Sequence, residues 1–228
     1  MVSQHSLTKE ETGSSRESIL DSATEVFMEV GFSGARVDEI ARRAKANKAM
    51  IYYHFGSKQD LYRVVLLRLF GDVIAEIARL KASEAPPREK LWALYTRVAA
   101  HFEAKRALPH IMLREILAGG KSIDAEASRT LFVIVSFVAE TVRQGVQTGE
   151  FREVDPLLLH MSVLAPLMVH HVGDSFRERI LPREMPGITA PSNDAMLKHL
   201  LAALDRSLAP ASPAPFSSSV LVQQGTSK

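Results

Sequence analysis

Between Arg36 and Lys58 the chain carries six cations (Arg36, Arg42, Arg43, Lys45, Lys48 and Lys58) against two acids, Asp38 and Glu39. The whole protein has a net charge of only +2, so this concentration is local. Cations packed in this way displace counterions from a phosphate backbone, the main source of sequence-independent affinity for nucleic acid. Tyr52, Tyr53 and His54 add hydrogen-bonding groups on stiff aromatic bodies, suited to phosphate contacts that fix register. Lys48 can donate to a guanine edge or to a phosphate, and Met50 can touch a thymine methyl or fill space. Ile51 and Phe55, four residues apart, point the other way and anchor the segment to its neighbours. The chemistry is binding, not bond-making.

A second group of chemically capable residues lies further on: His160, His170 and His171, with Met161 and Met168 between them, and His101 and His110 earlier. No HExxH, no His-x-His pair and no carboxylate at ligand spacing accompanies them, so no metal is expected. Such residues line pockets or subunit interfaces, where imidazole offers a donor and an acceptor within an apolar wall. Trp92, Tyr95, Phe102, Met112, Phe137, Met161 and His170 are the candidates for a ligand pocket, chosen for size and for helical positions that face inward. No nucleophile–base pair or phosphate loop stands out, so no catalytic residue and no cofactor is assigned. The absence of cysteine removes disulfides, thiolate metal sites and cysteine nucleophiles, and fits a reducing cytoplasm.

These residues must be positioned by helices. Of the 228 residues, 46% are hydrophobic, enough for a sizeable core, and no stretch alternates as a strand does. Residues 1–13 are polar and aperiodic and read as a mobile tail with no signal peptide. Ser14 and Glu17 form a capping box ahead of Ile19, Ala23, Phe27 and Val30, and Gly31 closes that helix. Short helices at 37–44 and 48–55 flank the three residues Lys45, Ala46 and Asn47, the proportions of a helix-turn-helix. Ser57 and Asp60 cap a long helix to about 83; further helices are expected at 88–106, 109–118, 124–148, 155–173, 174–184 and 192–208. The longest apolar run, Leu131 to Ala139, is well short of the roughly 20 residues that span a membrane; apolar all round, it implies burial on several sides. Residues 209–228, rich in proline and serine, read as disordered.

The stretch 16–62 resembles the DNA-binding domain of TetR-family repressors. The matching residues are ILDSATEVFMEVGF, then VDEIARRA, then IYYHFGSKQDLY, the last being the most specific. GEFREVDPLLLH is similar to the loop and start of the family's dimer-forming region. The resemblance implies an all-α protein with an N-terminal three-helix helix-turn-helix DNA-binding domain (14–60) and a larger C-terminal helical domain for ligand binding and dimerisation (61–208). It implies that Asn47, Lys48, Ala49 and Met50 face bases, and that Tyr52, Tyr53, His54 and Lys58 hold the DNA backbone. Two departures matter: Lys45 stands where the family often has glycine in the turn, which strains it. Ala35-Arg36 stands where it often has a capping threonine, so that Arg36 supplies the phosphate contact. The function implied is a cytoplasmic homodimeric repressor on a palindromic double-stranded operator, released by a small lipophilic inducer through the long helix that starts at Ser57. The helices at 155–173 and 192–208 would form a four-helix bundle across the two-fold axis. The alternatives are a DNA-binding dimer with no inducer and an enzyme acting in the helical domain.

Overall fold

The computed structural model describes residues 9–185 and 187–210; the remaining parts of both expected tails lie outside them. Among the described residues there are ten helices and no strand. Helix α1 spans Lys9–Gly34 and is broken at Gly31, whose φ of 70° and ψ of 178° are open to glycine and strained for other residues. It begins five residues before the expected capping box, so positions 14 and 17 lie inside the helix and not at its start. Ile19, Leu20, Ala23, Val26 and Phe27 form its buried face, whereas Val30, expected on that face, is exposed.

Helix α2 (Val37–Arg43) and α3 (Lys48–Phe55) follow, then the long α4 (Lys58–Lys81). Ser57 caps α4 by accepting from the Asp60 amide at 3.0 Å, as its sequence signature predicts. The larger part comprises α5 (Pro87–Ala104), α6 (Ala107–Leu117), α7 (Ala125–Gln147), α8 (Pro156–Val172), α9 (Asp174–Glu184) and α10 (Asn193–Leu208). Helix α4 packs on α1 at its start and on α5 and α7 further along, and α10 packs on α8 and α5. The result is one continuous apolar core from Ile19 to Leu208, with no break between the N-terminal and C-terminal helices. On α10, Leu200, Leu201, Leu204 and Leu208 are buried within the chain itself. In α7, Ile134, Phe137 and Val138 are buried, but Phe132 and Val133 are exposed, so burial there is one-sided, contrary to the all-round expectation.

Helix α6 ties the two parts together with polar bonds that sequence reading did not anticipate. Arg114 donates from Nε to the Met28 carbonyl at 3.0 Å and from Nη2 to the Glu29 carbonyl. These carbonyls precede the break at Gly31, where the helix can no longer supply all of their partners. One residue on, the buried Glu115 accepts the Tyr62 hydroxyl of α4 at 2.6 Å through Oε1, while its Oε2 has no partner. Tyr62 also packs edge-on against Phe27, with ring centroids 4.7 Å apart. Burial, then the hydrogen bond to Glu115 and its charge, push the Tyr62 hydroxyl well above the ordinary tyrosine range.

Replacing Tyr62 with Phe keeps the packing and leaves Glu115 buried without its donor. Urea denaturation at pH 7 is expected to show a loss of about 1–3 kcal/mol. The folded protein holds the Tyr62 proton longer than the unfolded chain, in which tyrosine titrates near about 10. Stability therefore declines as pH rises above about 10, and Y62F should decline less steeply there.

Candidate functional site

Helix α3 has only eight residues, too few to hold itself in water. Ile51 and Phe55 fasten it by insertion into the core. At its start Asn47 is the N-cap, its side chain accepting from the Ala49 amide at 2.9 Å. This gives Asn47 a structural role beside the base contact implied by resemblance. The residues facing away from the core are Asn47, Lys48, Ala49, Tyr52 and Tyr53, all exposed, with Tyr53 at 77%. Arg36, the residue before α2, is also exposed and makes no capping bond. Lys48 Nζ lies 2.9 Å from Asp38 in the first turn of α2, which brings the starts of the two helices together on one surface.

Three of the nine expected contact residues are half-buried. Met50 packs against the core, so it fills space. His54 has its Nε2 enclosed without a partner, directed away from that surface. The Lys58 ammonium sits 4.4 Å over the Phe32 ring, and burial lowers its pKa. Reaching a phosphate would require it to leave that ring, an exchange of about 0.5–1 kcal/mol at such a site.

The cation count is reduced further by acids outside the window in which it was made. Arg43 makes a two-pronged bond to Glu29 of α1, both distances 2.7 Å, and another to Glu39 at 2.8 Å. Arg42 grips Glu39 with two bonds of 2.9 and 2.7 Å. Hydrogen bonds from both arginines hold the Glu39 carboxyl down to about 2. The same kind of bond to Asp38 raises the Lys48 pKa. Arg42 and Arg43 thus bind α2 to α1 and to itself, and Arg36, Lys45 and Lys48 supply the exposed positive charge. Lys45, counted in the cation cluster but not among the expected contacts, is exposed in the turn.

Lys45 has φ 51°, the single positive φ at a non-glycine position among the described residues. The strain expected from the missing glycine is therefore present. The turn is closed by Ser18 of α1, whose hydroxyl donates to the Ala44 carbonyl at 3.1 Å.

In the larger part a cavity of about 190 Å³ opens among α4, α5, α6, α7 and α8. Phe102, Met112 and Met161 line it, as expected; Trp92, Tyr95, Phe137 and His170 do not. Trp92 lies at the surface, 40% exposed, and donates through Nε1 to Asp205 at 3.1 Å. Phe137 is buried in the core, and His170 bonds Asn193 Oδ1 at 3.1 Å through Nε2. Tyr95 stands behind the wall, its hydroxyl 3.2 Å from Nδ1 of His160, which does line the cavity. Sequence reading also missed Phe70, Leu164 and Met168 in the lining.

The histidines do not converge. His171 donates through Nδ1 to the Leu167 carbonyl at 2.8 Å, and His101 through Nε2 to the Leu69 carbonyl at 2.5 Å. Among the described residues no three histidine, aspartate or glutamate side chains come together at metal-binding range. No single helix there is long and apolar enough to cross a membrane.

Lys45→Gly is expected to raise stability by about 0.5–1 kcal/mol. Relief of the left-handed conformation, about 1–2 kcal/mol, outweighs the greater freedom of glycine in the unfolded chain. Thermal or urea denaturation checks it, and an unchanged midpoint would mean that the turn holds Lys45 without strain.

Comparison with known proteins agrees with this geometry. Residues 19–65 match the sequence model described as bacterial regulatory proteins, tetR family, and residues 87–203 match the tetracyclin repressor-like C-terminal domain. The HTH-type transcriptional repressor NicS of Pseudomonas putida is 30% identical over 135 residues, which cover 59% of this chain and 63% of that relative. The HTH-type transcriptional regulator RutR of Escherichia coli is 25% identical over 177 residues, covering 72% of this chain and 82% of RutR. In fold, the chain is similar to the regulator FadR of Bacillus subtilis, solved in complex with stearoyl-CoA. The TM-score is 0.63 at 18% identity, over 84% of this chain and 98% of FadR. With two sequence models matched in order, the second over half of its length, the chain belongs to the TetR family of bacterial regulatory proteins.

Proposed function

We propose that this protein is a homodimeric transcriptional repressor that holds a palindromic operator through α3 and lets go when a small lipophilic molecule fills the cavity between α4 and α8. The observation that carries the reading is a shared pair of helices. Phe70 and Val73 of α4 and Leu108, Met112 and Ile116 of α6 form cavity wall. The same two helices grip the N-terminal part, through Tyr62 and through Arg114. A ligand that favours a different placement of these walls shifts the DNA-binding helices with them. The energy that such a switch needs is small: coupling of about 1–3 kcal/mol changes operator affinity about 5- to 150-fold.

The alternative of a dimer without an inducer is disfavoured by the cavity itself, since a filled core would suffice for dimerisation alone. FadR, which is similar in fold, was solved in complex with stearoyl-CoA, a molecule with a long acyl chain, and this supports the reading. Dimerisation is supported by α8, whose Leu158 and Val169 are 72% and 56% exposed, too apolar for a free surface. The opposite face of α8 already packs on α10 within the chain, so the bundle across the two-fold would use these outward residues.

Arg36, Lys45, Lys48, Tyr52, Tyr53 and Lys58 are assigned to the DNA backbone or groove edges, with Asn47 and Ala49 beside the bases. Selection of bound duplexes from a random pool is expected to return an inverted repeat. Its half-sites should lie about one helical turn, roughly 34–36 Å, or a multiple of it, apart. Enrichment of direct or single half-sites would overturn the two-fold arrangement, as would light scattering that returns the mass of one chain.

The salt dependence of binding separates working cations from internal ones. Lys45→Ala and Lys58→Ala should each reduce the slope of log K against log salt by about 2, one phosphate contact being lost in each half-site. Arg43→Ala should leave it nearly unchanged, because Glu29 and Glu39 already occupy that guanidinium. An unchanged slope for Lys58→Ala would show that its ammonium stays over Phe32.

A further inference from the structure

Resting on the proposal that the cavity receives an inducer, we infer that it selects an uncharged ligand bearing one hydrogen-bond acceptor, such as a ketone or ester carbonyl, held by Nε2–H of His160. Among the residues lining the cavity, His160 alone has a side-chain nitrogen or oxygen. Its neighbours in the wall are leucine, isoleucine, valine, phenylalanine and methionine side chains. No cation faces the space to meet a carboxylate or phosphate, and no carboxylate to meet an amine. Burying an unpaired charge there would cost far more than apolar contact returns.

The proton on His160 is placed by Tyr95. The Tyr95 ring is fully buried and stacks on His160 at 6.0 Å and 30°. Its hydroxyl has one hydrogen-bond partner, Nδ1 of His160, at 3.2 Å. A buried phenol proton goes to the acceptor within reach, so Nδ1 accepts. Burial keeps the imidazole neutral by lowering its pKa. A neutral imidazole that accepts at Nδ1 carries its proton on Nε2. The cavity therefore contains one fixed donor in an otherwise apolar wall, and the matching ligand atom is an acceptor.

Size and access fit a small molecule. An engineered apolar cavity of about 150 Å³ holds benzene; the one here, at about 190 Å³, takes a slightly larger ring or a short chain. Ile116 of α6 with Leu157 and Met161 of α8 form part of its lining while 55%, 52% and 42% exposed, so the cavity reaches the surface between those helices. The rim is apolar as well.

The test is calorimetric binding of four matched probes to the full-length protein: 2-octanone, n-octane, octanoate and octylamine. The expected order places 2-octanone about three- to tenfold tighter than n-octane, the effect of one net hydrogen bond, with octanoate and octylamine weakest. In the Tyr95→Phe/His160→Leu double variant, which keeps the wall apolar and leaves no orphaned hydroxyl, the preference for the ketone over the alkane should vanish while the alkane still binds. Should that variant fail to fold, the His160 Nε2–H resonance of the wild type gives a second reading, and it must shift on adding 2-octanone but not n-octane. Equal binding of ketone and alkane, tighter binding of octanoate, or a preference that survives in the double variant would each overturn the inference. Operator release is measured in parallel with the selected duplex. Probes that bind in the expected order without weakening DNA binding would count against the inducer reading and leave the specificity of His160 standing.

Discussion

Polar groups at the junction of the two parts are joined through α6. The Tyr62 hydroxyl and Glu115 are buried and rely on each other, and at the surface beside them Arg114 holds the Met28 and Glu29 carbonyls. Leaving the buried pair without one partner costs about 1–3 kcal/mol. That is the same size as a typical allosteric coupling energy. A displacement of α6 is thus resisted unless α1 and α4 move with it, so motion of one cavity wall becomes motion of the DNA-binding helices. The continuous apolar core across the junction reinforces this, because packed interiors shift between discrete arrangements and do not stretch.

The same economy of polar partners governs the DNA-binding surface. Arg42 and Arg43 are spent on Glu39 and Glu29, which sets α2 against α1 and fixes the platform for α3. Exposed pairs of this kind contribute little stability each, but a network spanning two helices orients them. Affinity for DNA then depends on fewer cations than the sequence displays. Lys48 is shared between the two uses: its bond to Asp38 is exposed and easily exchanged for a phosphate or a guanine edge.

Much of this was legible from the residues, and the boundary of legibility is physical. Helical periodicity, the Ser57 cap and the pairing of Ile51 with Phe55 are local features, and they placed the helix-turn-helix to within a residue. The start of α1 escaped because Ser14 and Glu17 look the same inside a helix as at its end. The cavity was read poorly for a different reason. Trp92, Phe137 and His170 were chosen for size, but a large inward side chain fills a core as readily as it borders a gap. Which of two apolar positions faces empty space depends on how five helices meet, and no spacing within one helix records that. Arg114 and Glu29 were invisible on the same ground, since each has its partner on a helix far along the chain.

The cavity also carries an energetic argument about what a ligand can do. An apolar ligand in the cavity gains about 25 cal/mol for each Å² of apolar surface that it and the wall remove from water. Filling the cavity stabilises the fold by mass action whichever placement of the walls is present. Operator release needs more than filling, because a ligand that fits both placements equally shifts nothing. The discriminating contacts must therefore lie on the walls that move, α4 and α6, against a wall that stays. On the proposed reading helix α8, packed on α10 and presenting Leu158 and Val169 outward, would be that fixed wall, and His160 stands on it. A carbonyl anchored at His160 would hold one end of the ligand still, so that its apolar remainder presses on Phe70 and Met112 in proportion to its length.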